Sequence, residues 1–128
     1  MDDQIDELVL QTIHKTLRST FGPTTTEIIY EYLKKQSCPR SEIPRKLNVF
    51  CLELRNILEI QASKHVGVPE EITVLGTTAI VEKTIAKRLC KKLGIEFNEV
   101  GPIEFPDYIK KIKKVYYHSK NKSKPHNV

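Results

Sequence analysis

Apolar residues recur along most of this chain at intervals of three and four positions, the period of an amphipathic α-helix. The pattern predicts helices at about 3–19, 24–37, 41–59, 76–93 and 106–118. Their predicted inward-facing residues are Ile5, Leu8, Val9, Ile13, Leu17, Ile28, Ile29, Tyr32, Leu33, Ile43, Leu47, Phe50, Cys51, Leu54, Ile57, Leu58, Ile80, Val81, Ile85, Leu89, Leu93, Ile109, Ile112, Val115 and Tyr116. The sequence therefore predicts an all-α fold, a single compact bundle of four to five amphipathic helices.

Short motifs mark the ends of these helices. The segment 21–23 (FGP) separates the first two helices, because glycine tolerates left-handed backbone and proline cannot continue the hydrogen-bond ladder. Thr24 and Glu27 have the spacing of a capping box for the second helix. Gly94 followed by Ile95 has the pattern of a helix C-cap with its hydrophobic latch.

The segment 61–75 interrupts the helical pattern. It contains Gly67 and Pro69, and its one apolar run is the sequence ITVL, so we predict a long irregular insertion. Irregular segments on a rigid scaffold often carry recognition. The candidate protein-interaction residues are Ile72, Val74 and Leu75.

The segment 41–58, SEIPRKLNVFCLELRNIL, has two interpretations with different functional meanings. As one continuous helix, it presents a broad apolar face to a core. Broken at positions 48–49, it resembles a helix-turn-helix in which Arg45, Lys46 and Arg55 would meet phosphates or base edges. The second helix of such a motif would lack a Ser, Thr or Asp at its N-cap. The continuous helix is therefore the favoured interpretation.

Basic charge is concentrated towards the end of the chain. The formal net charge is +5, yet residues 108–128 contain seven lysines and no acid, so the preceding residues carry a net charge of −2. The candidate nucleic-acid-binding lysines are Lys110, Lys113, Lys114, Lys120, Lys122 and Lys124. Such a segment could neutralise nucleic acid or anionic lipid, although a solubilising, disordered end is the favoured interpretation. We predict a helical bundle domain at 1–118 and a flexible basic tail at 119–128.

The sequence contains no recognisable catalytic or cofactor-binding motif, because GxSxG, Walker-type and GxGxxG patterns are all absent. Its four histidines share no ligand spacing with one another or with a cysteine, so we predict no metal site, no cofactor and no enzymatic activity. Cys38, Cys51 and Cys90 lack CxxC spacing, which is typical of free thiols in a reducing cytoplasm. The acidic first helix and the absence of a long apolar run argue against a secretory signal and a membrane span. We expect a cytoplasmic protein.

Three stretches of the chain resemble a small archaeal all-helical family, the fifth class of Nitrosopumilus output domains. The likeness is carried by IHKTLRSTFGPTTTEIIYEY at 13–32, EIPRKLNVFCLELRNIL at 42–58 and the segment 76–95, which ends in LCKKLGI. These stretches match by their apolar and turn positions. The resemblance implies a compact helical module that acts as an output or interaction element in archaeal signalling, with no active site to carry over. The insertion at 61–75 and the Lys-rich fifth helix depart from the family pattern.

Two functional hypotheses follow from these patterns. The leading hypothesis is a non-catalytic module that acts by protein–protein interaction through the insertion at 61–75. The alternative is a DNA- or RNA-binding regulator that uses the segment 41–58 and the basic C-terminus. A homodimer formed through an apolar stripe on the fifth helix is a third arrangement that the sequence permits.

Overall fold

The computed structural model describes residues 3–62, 70–101 and 103–123 of the chain. These ranges contain four α-helices and one 3₁₀ helix, and no strand. The elements are α1 (Asp3–Lys35), the 3₁₀ helix (Arg40–Arg45), α2 (Leu47–Ala62), α3 (Glu70–Leu93) and α4 (Phe105–Ser123). The predicted all-α bundle is confirmed. Among the described residues, none of the helices has both the length and the apolar character needed to span a bilayer.

Helix α1 folds back on itself at Gly22. This residue has φ 85° and ψ 167°, a conformation that is open essentially to glycine alone. His14 Nδ1 and Tyr30 Oη lie 2.8 Å apart, although a straight helix would separate residues 14 and 30 by about 24 Å. The arms of α1 before and after Gly22, residues 3–21 and 23–35, are therefore antiparallel. The helix break predicted at this point is confirmed.

Pro23 is the first helical residue of the second arm, a position that suits proline because its N–H is not needed there. Thr26 donates from Oγ1 to the Gly22 carbonyl at 2.7 Å. Thr24 and Glu27 both lie inside the helical arm. The capping box predicted at these two residues is therefore wrong, because the helix begins one position before its supposed N-cap.

The segment 41–58 is neither one continuous helix nor a chain broken at positions 48–49, so both interpretations are wrong about its geometry. A 3₁₀ helix spans Arg40–Arg45, and Lys46, with φ −126° and ψ 46°, separates it from α2. Pro44 explains the tighter helix, because an α-helix that starts at Arg40 would need the N–H that Pro44 lacks. The backbone bonds from Glu42 N to Pro39 O and from Lys46 N to Ile43 O span three residues, at 2.8 and 3.0 Å.

The described parts of the insertion predicted at 61–75 are helical. Residues 61–62 complete α2, and residues 70–75 form the first turns of α3. Gly76, predicted to open a helix, lies inside α3. A helix-interior glycine costs about 1 kcal/mol relative to alanine, but tertiary packing of an amphipathic face outweighs such a local preference. Residues 63–69 lie outside the described ranges.

The C-terminal end of α3 has the predicted cap. Gly94 has φ 70°, Gly94 N donates to Lys91 O at 3.3 Å, and Ile95 N donates to Cys90 O at 2.8 Å. This pair of bonds is a Schellman motif. Helix α4 then begins at Phe105 and continues to Ser123, five positions beyond the predicted end of the bundle at 118.

The core lies where α3 packs against α1, α2 and α4. Its largest fully buried side chains are Phe50, Phe105, Ile5, Ile13, Leu17, Ile29, Leu33, Ile43, Leu54, Ile85, Leu89 and Ile109. Ile28, Ile80 and Val115 were predicted to face inward but are 45%, 66% and 42% exposed, because each lies off the buried stripe of its helix. The remaining predicted core positions are buried or partly buried against the core.

We expect Gly22→Ala to lower the free energy of unfolding by about 1–3 kcal/mol, because alanine is strained in the Gly22 conformation. A Cβ atom at this position would meet nothing within 4 Å, so the loss would come from the backbone alone. Denaturant unfolding followed by circular dichroism measures the change. Gly101→Ala is the matched control, since its Cβ would also lie in open space and its φ is not positive. Equal stability of the two variants would contradict the proposed role of Gly22.

Candidate functional site

A groove follows the side of the bundle where α3 packs against the first arm of α1. Arg88 Nη1 donates to Thr16 Oγ1 at 3.2 Å and to Ser19 Oγ at 3.4 Å, which ties the two helices together. The groove is open to solvent and has a volume of about 670 Å³. Its lining residues are Thr12, Lys15, Ser19, Arg88, Lys91 and Lys92.

The basic residues of α3 reach the groove because of their helical spacing. Arg88, Lys91 and Lys92 stand at positions i, i+3 and i+4, which share one face of a helix. Leu89 and Cys90 from the same turns point into the core and are fully buried. Lys91 and Lys92 lie in the last turn of α3, where the helix dipole also favours positive charge.

Two hydroxyl groups of α1 hold Arg88 beside the groove. Thr16 Oγ1 donates to the Thr12 carbonyl at 2.8 Å, and Ser19 Oγ donates to the Thr16 carbonyl at 3.2 Å. Because each hydroxyl proton is used within the helix, the oxygens of Thr16 and Ser19 act as acceptors for Arg88. Arg88 is thus positioned by neutral partners, which leave its charge in place.

A second depression adjoins this groove. It has a volume of about 280 Å³ and is lined by Glu7, Leu10, Gln11, His14, Lys15, Arg40 and Lys92. Lys15 and Lys92 line both depressions, so the two form one surface, which we call the basic groove. Its five cationic residues are Lys15, Arg40, Arg88, Lys91 and Lys92. Among the described residues that line it, Glu7 is the only acid, so the groove carries a positive potential.

His14, Tyr30 and Arg40 form a stacked unit at one end of the basic groove. The rings of His14 and Tyr30 are 5.7 Å apart at an interplanar angle of 14°, and the Arg40 guanidinium lies 4.8 Å from the centre of the Tyr30 ring. Burial raises the pKa of Tyr30 to about 12. Burial, followed by the charges of Arg40 and Arg18, lowers the pKa of His14. The hydrogen bond between His14 Nδ1 and Tyr30 Oη therefore joins two groups whose uncharged forms are favoured, and the imidazole tautomer determines which of them donates.

Three of the predicted nucleic-acid-binding residues are held by intramolecular contacts. Asp6 lies 3.8 Å from Arg45 Nε and accepts a hydrogen bond from Lys113 Nζ at 2.8 Å. Lys46 Nζ lies 2.7 Å from Glu42 Oε1. The structure thus brings Arg45 and Lys113 together, but around a carboxylate that offsets their charge.

The other predicted nucleic-acid-binding residues are spread over two helices. Arg55 is exposed on α2, and Lys110 and Lys114 are exposed on α4. The backbone of Lys120 and Lys122 continues α4, and position 124 lies outside the described residues. No residue of the predicted set lines the basic groove.

The predicted protein-interaction residues Ile72, Val74 and Leu75 lie in the first turns of α3. They were predicted to carry recognition because the segment was expected to have an irregular backbone. Since the backbone here is helical, the reason for assigning recognition to this segment no longer holds.

Several ionisable groups are buried elsewhere in the described part of the chain. Burial raises the pKa of the thiols of Cys38, Cys51 and Cys90, which disfavours the nucleophilic thiolate. Glu82 is only 7% exposed, and burial raises its pKa as well. Among the described residues, no group of three or more His, Cys, Asp and Glu side chains could hold a metal ion.

Sequence reasoning missed the basic groove, although part of its signal was present. The spacing of Arg88, Lys91 and Lys92 indicated one basic face on a helix. The sequence alone did not indicate that this face would lie beside Lys15, because the contact joins residues more than seventy positions apart, as the bond between Arg88 and Thr16 shows.

Comparisons with family models, with curated proteins and with solved structures gave no match to this chain. The resemblance to the Nitrosopumilus output domains therefore stays a prediction from the sequence. Function has to be inferred from the geometry and charge of the basic groove.

We expect the His14 imidazole to titrate below its ordinary pKa of 6.5 in the folded protein. Because folding lowers this pKa, the stability that His14 contributes is complete above about pH 6.5 and is lost as the pH falls through the lowered value. An NMR titration of the His14 ring resonances measures the midpoint. Arg40→Gln should raise that midpoint, since it removes a repelling charge. A midpoint at 6.5 or higher in the unaltered protein would show that burial and Arg40 do not act as described.

Proposed function

We propose that this protein is a non-catalytic helical module that binds an acidic segment of a partner protein in the basic groove. The observation that carries the proposal is the convergence of five cationic side chains on one groove, with Glu7 as the only acid among the described lining residues. Electrostatic complementarity of this kind speeds association and selects partners of opposite charge.

The basic groove differs in charge from the rest of residues 1–107. Residues 1–107 carry 14 basic and 16 acidic side chains, so this part of the chain has a slight negative charge. Five of those 14 cations line the basic groove. The concentration of positive charge is therefore local, which favours a directed contact over a general attraction to polyanions.

The lining of the groove suits a polypeptide. Leu10 supplies apolar surface, and the long stems of Lys15 and Lys92 cover more of it while their charged heads reach solvent. A peptide can use both the apolar surface and the charges. The resemblance to the Nitrosopumilus output domains likewise implies an interaction role, in archaeal signalling.

A fluorescent peptide of alternating Glu and Ser residues tests this proposal by fluorescence anisotropy. We expect it to bind the full chain, and a peptide with Gln in place of Glu to bind far more weakly. Lys91→Gln/Lys92→Gln should weaken binding by about tenfold, since each exposed charge pair contributes up to about 1 kcal/mol. Lys110→Gln/Lys114→Gln on α4 removes the same charge and should leave the affinity nearly unchanged. Equal losses in the two double variants would refute the role of the groove.

Nucleic-acid binding is the second candidate function, and α4 is the feature that favours it. Lys110, Lys111 and Lys114 are exposed on this helix, and Lys120 and Lys122 extend it. If α4 binds nucleic acid, affinity for a duplex should fall steeply as salt rises, because bound lysines release counterions from the phosphates. Lys110→Gln/Lys114→Gln should then reduce both the affinity and its salt dependence. If neither changes, this second function is excluded for α4.

A further inference from the structure

We infer that the part of the basic groove between Arg88 and Lys15 is a phosphate site, and that the acidic segment it binds carries a phosphorylated serine or threonine. This inference rests on the proposed function and names the chemistry that the groove selects. It depends on three features of the groove, which are its charge, the fixed position of Arg88 and the open surface that continues towards Arg40.

The charge of this part of the groove exceeds what a carboxylate can balance. Lys15, Arg88, Lys91 and Lys92 line it, and its described lining residues include no acid. Four cations held near one another repel, and an anion of higher charge relieves more of that repulsion. A phosphorylated side chain brings about −1.5 to −2 charges and three strong acceptor oxygens, against a single charge on Asp or Glu.

Arg88 is oriented before any ligand arrives. Its Nη1 atom is held by the oxygens of Thr16 and Ser19, and Thr16 is fully buried. Both hydroxyl groups donate their protons to backbone carbonyls, so they can only accept from Arg88. A guanidinium has five N–H donors in a planar fork that matches the oxygens of a phosphoryl group. Fixing this fork in advance lowers the entropic cost of binding.

The groove leaves room for a polypeptide on either side of the phosphate. It is open to solvent along the helices and continues past Lys15 and Lys92 into the depression near His14 and Arg40. A free phosphate would leave that second depression unused. A phosphorylated chain can place its phosphate near Arg88 and an acidic neighbour near Arg40.

Three peptides of one sequence, with phosphoserine, Glu or Ser at the central position, separate the alternatives when they are titrated into the full chain. We expect the phosphoserine peptide to bind at least about tenfold more tightly than the Ser peptide, because hydrogen bonds to a charged group contribute more than those between neutral groups. It should also bind several-fold more tightly than the Glu peptide. Inorganic phosphate should compete for the site better than chloride at equal ionic strength.

Arg88→Lys tests the fork of N–H donors, because it keeps the charge and removes the planar geometry. We expect this variant to lose most of its preference for phosphoserine over Glu while it still binds the acidic peptide. A thermal melt establishes that the variant is folded, and Lys15→Gln provides a second test at a side chain without hydrogen bonds to the α1 hydroxyls. Lys110→Gln/Lys114→Gln remains the control and should keep the full preference.

Each contrary result has a distinct meaning. If Glu and phosphoserine peptides bind equally and both depend on Lys91 and Lys92, the phosphate site is refuted and the proposed function stands. If no acidic peptide binds, the proposed function fails as well. If single-stranded DNA displaces the phosphoserine peptide at lower concentration and requires Arg88, the ligand is a nucleic-acid phosphodiester, and the inference of a phosphorylated protein segment is wrong.

Discussion

The reversal of the backbone at Gly22 is the constraint on which the arrangement of this bundle depends. Its positive φ lets the two arms of α1 pack side by side, so that His14 reaches Tyr30 and Arg40 reaches the Tyr30 ring. The opposite side of the first arm is then available to α3. A straight α1 would carry Tyr30 and Arg40 away from the first arm. The depression near His14 and Arg40 therefore depends on the backbone conformation of Gly22.

Small polar side chains on α1 affect both the distance between α1 and α3 and the charge that the groove between them keeps. Thr12 and Thr16 are buried against α3, and their hydroxyl groups are satisfied within α1. A carboxylate at position 16 would have paired with Arg88 and offset its charge, while a large apolar residue there would have pushed the helices apart. Thr16 fits between the two helices and accepts a hydrogen bond from Arg88. Because threonine is uncharged, the groove keeps its positive charge. The same residues thus serve helix packing and the binding surface.

The elements that could be predicted from the sequence are those set by local chemistry. Gly22 followed by Pro23 predicts the helix break, and Gly94 followed by Ile95 predicts the helix cap. Few other residues adopt the backbone conformations that these positions require. The errors occur where local signals compete with packing. Pro44 lies within the segment predicted as one continuous helix, but the helical turn begins at Arg40, where an α-helix would need the N–H that Pro44 lacks. The basic groove was harder still to predict, since it depends on which helices become neighbours.

The pairing of charges explains why a count of lysines along the chain does not by itself locate the positive charge that is free to meet a ligand. The excess of positive charge lies beyond residue 107, yet Lys113 is paired with Asp6, and the same carboxylate lies near Arg45. The basic groove contains fewer cations than the C-terminal segment, but one of them, Arg88, is held by hydroxyl groups of α1. The attraction of an anionic ligand depends on the positive charge that remains after such internal pairing. It depends also on how rigidly the charged side chains are held. These considerations support the junction of α1 and α3 as the proposed binding surface.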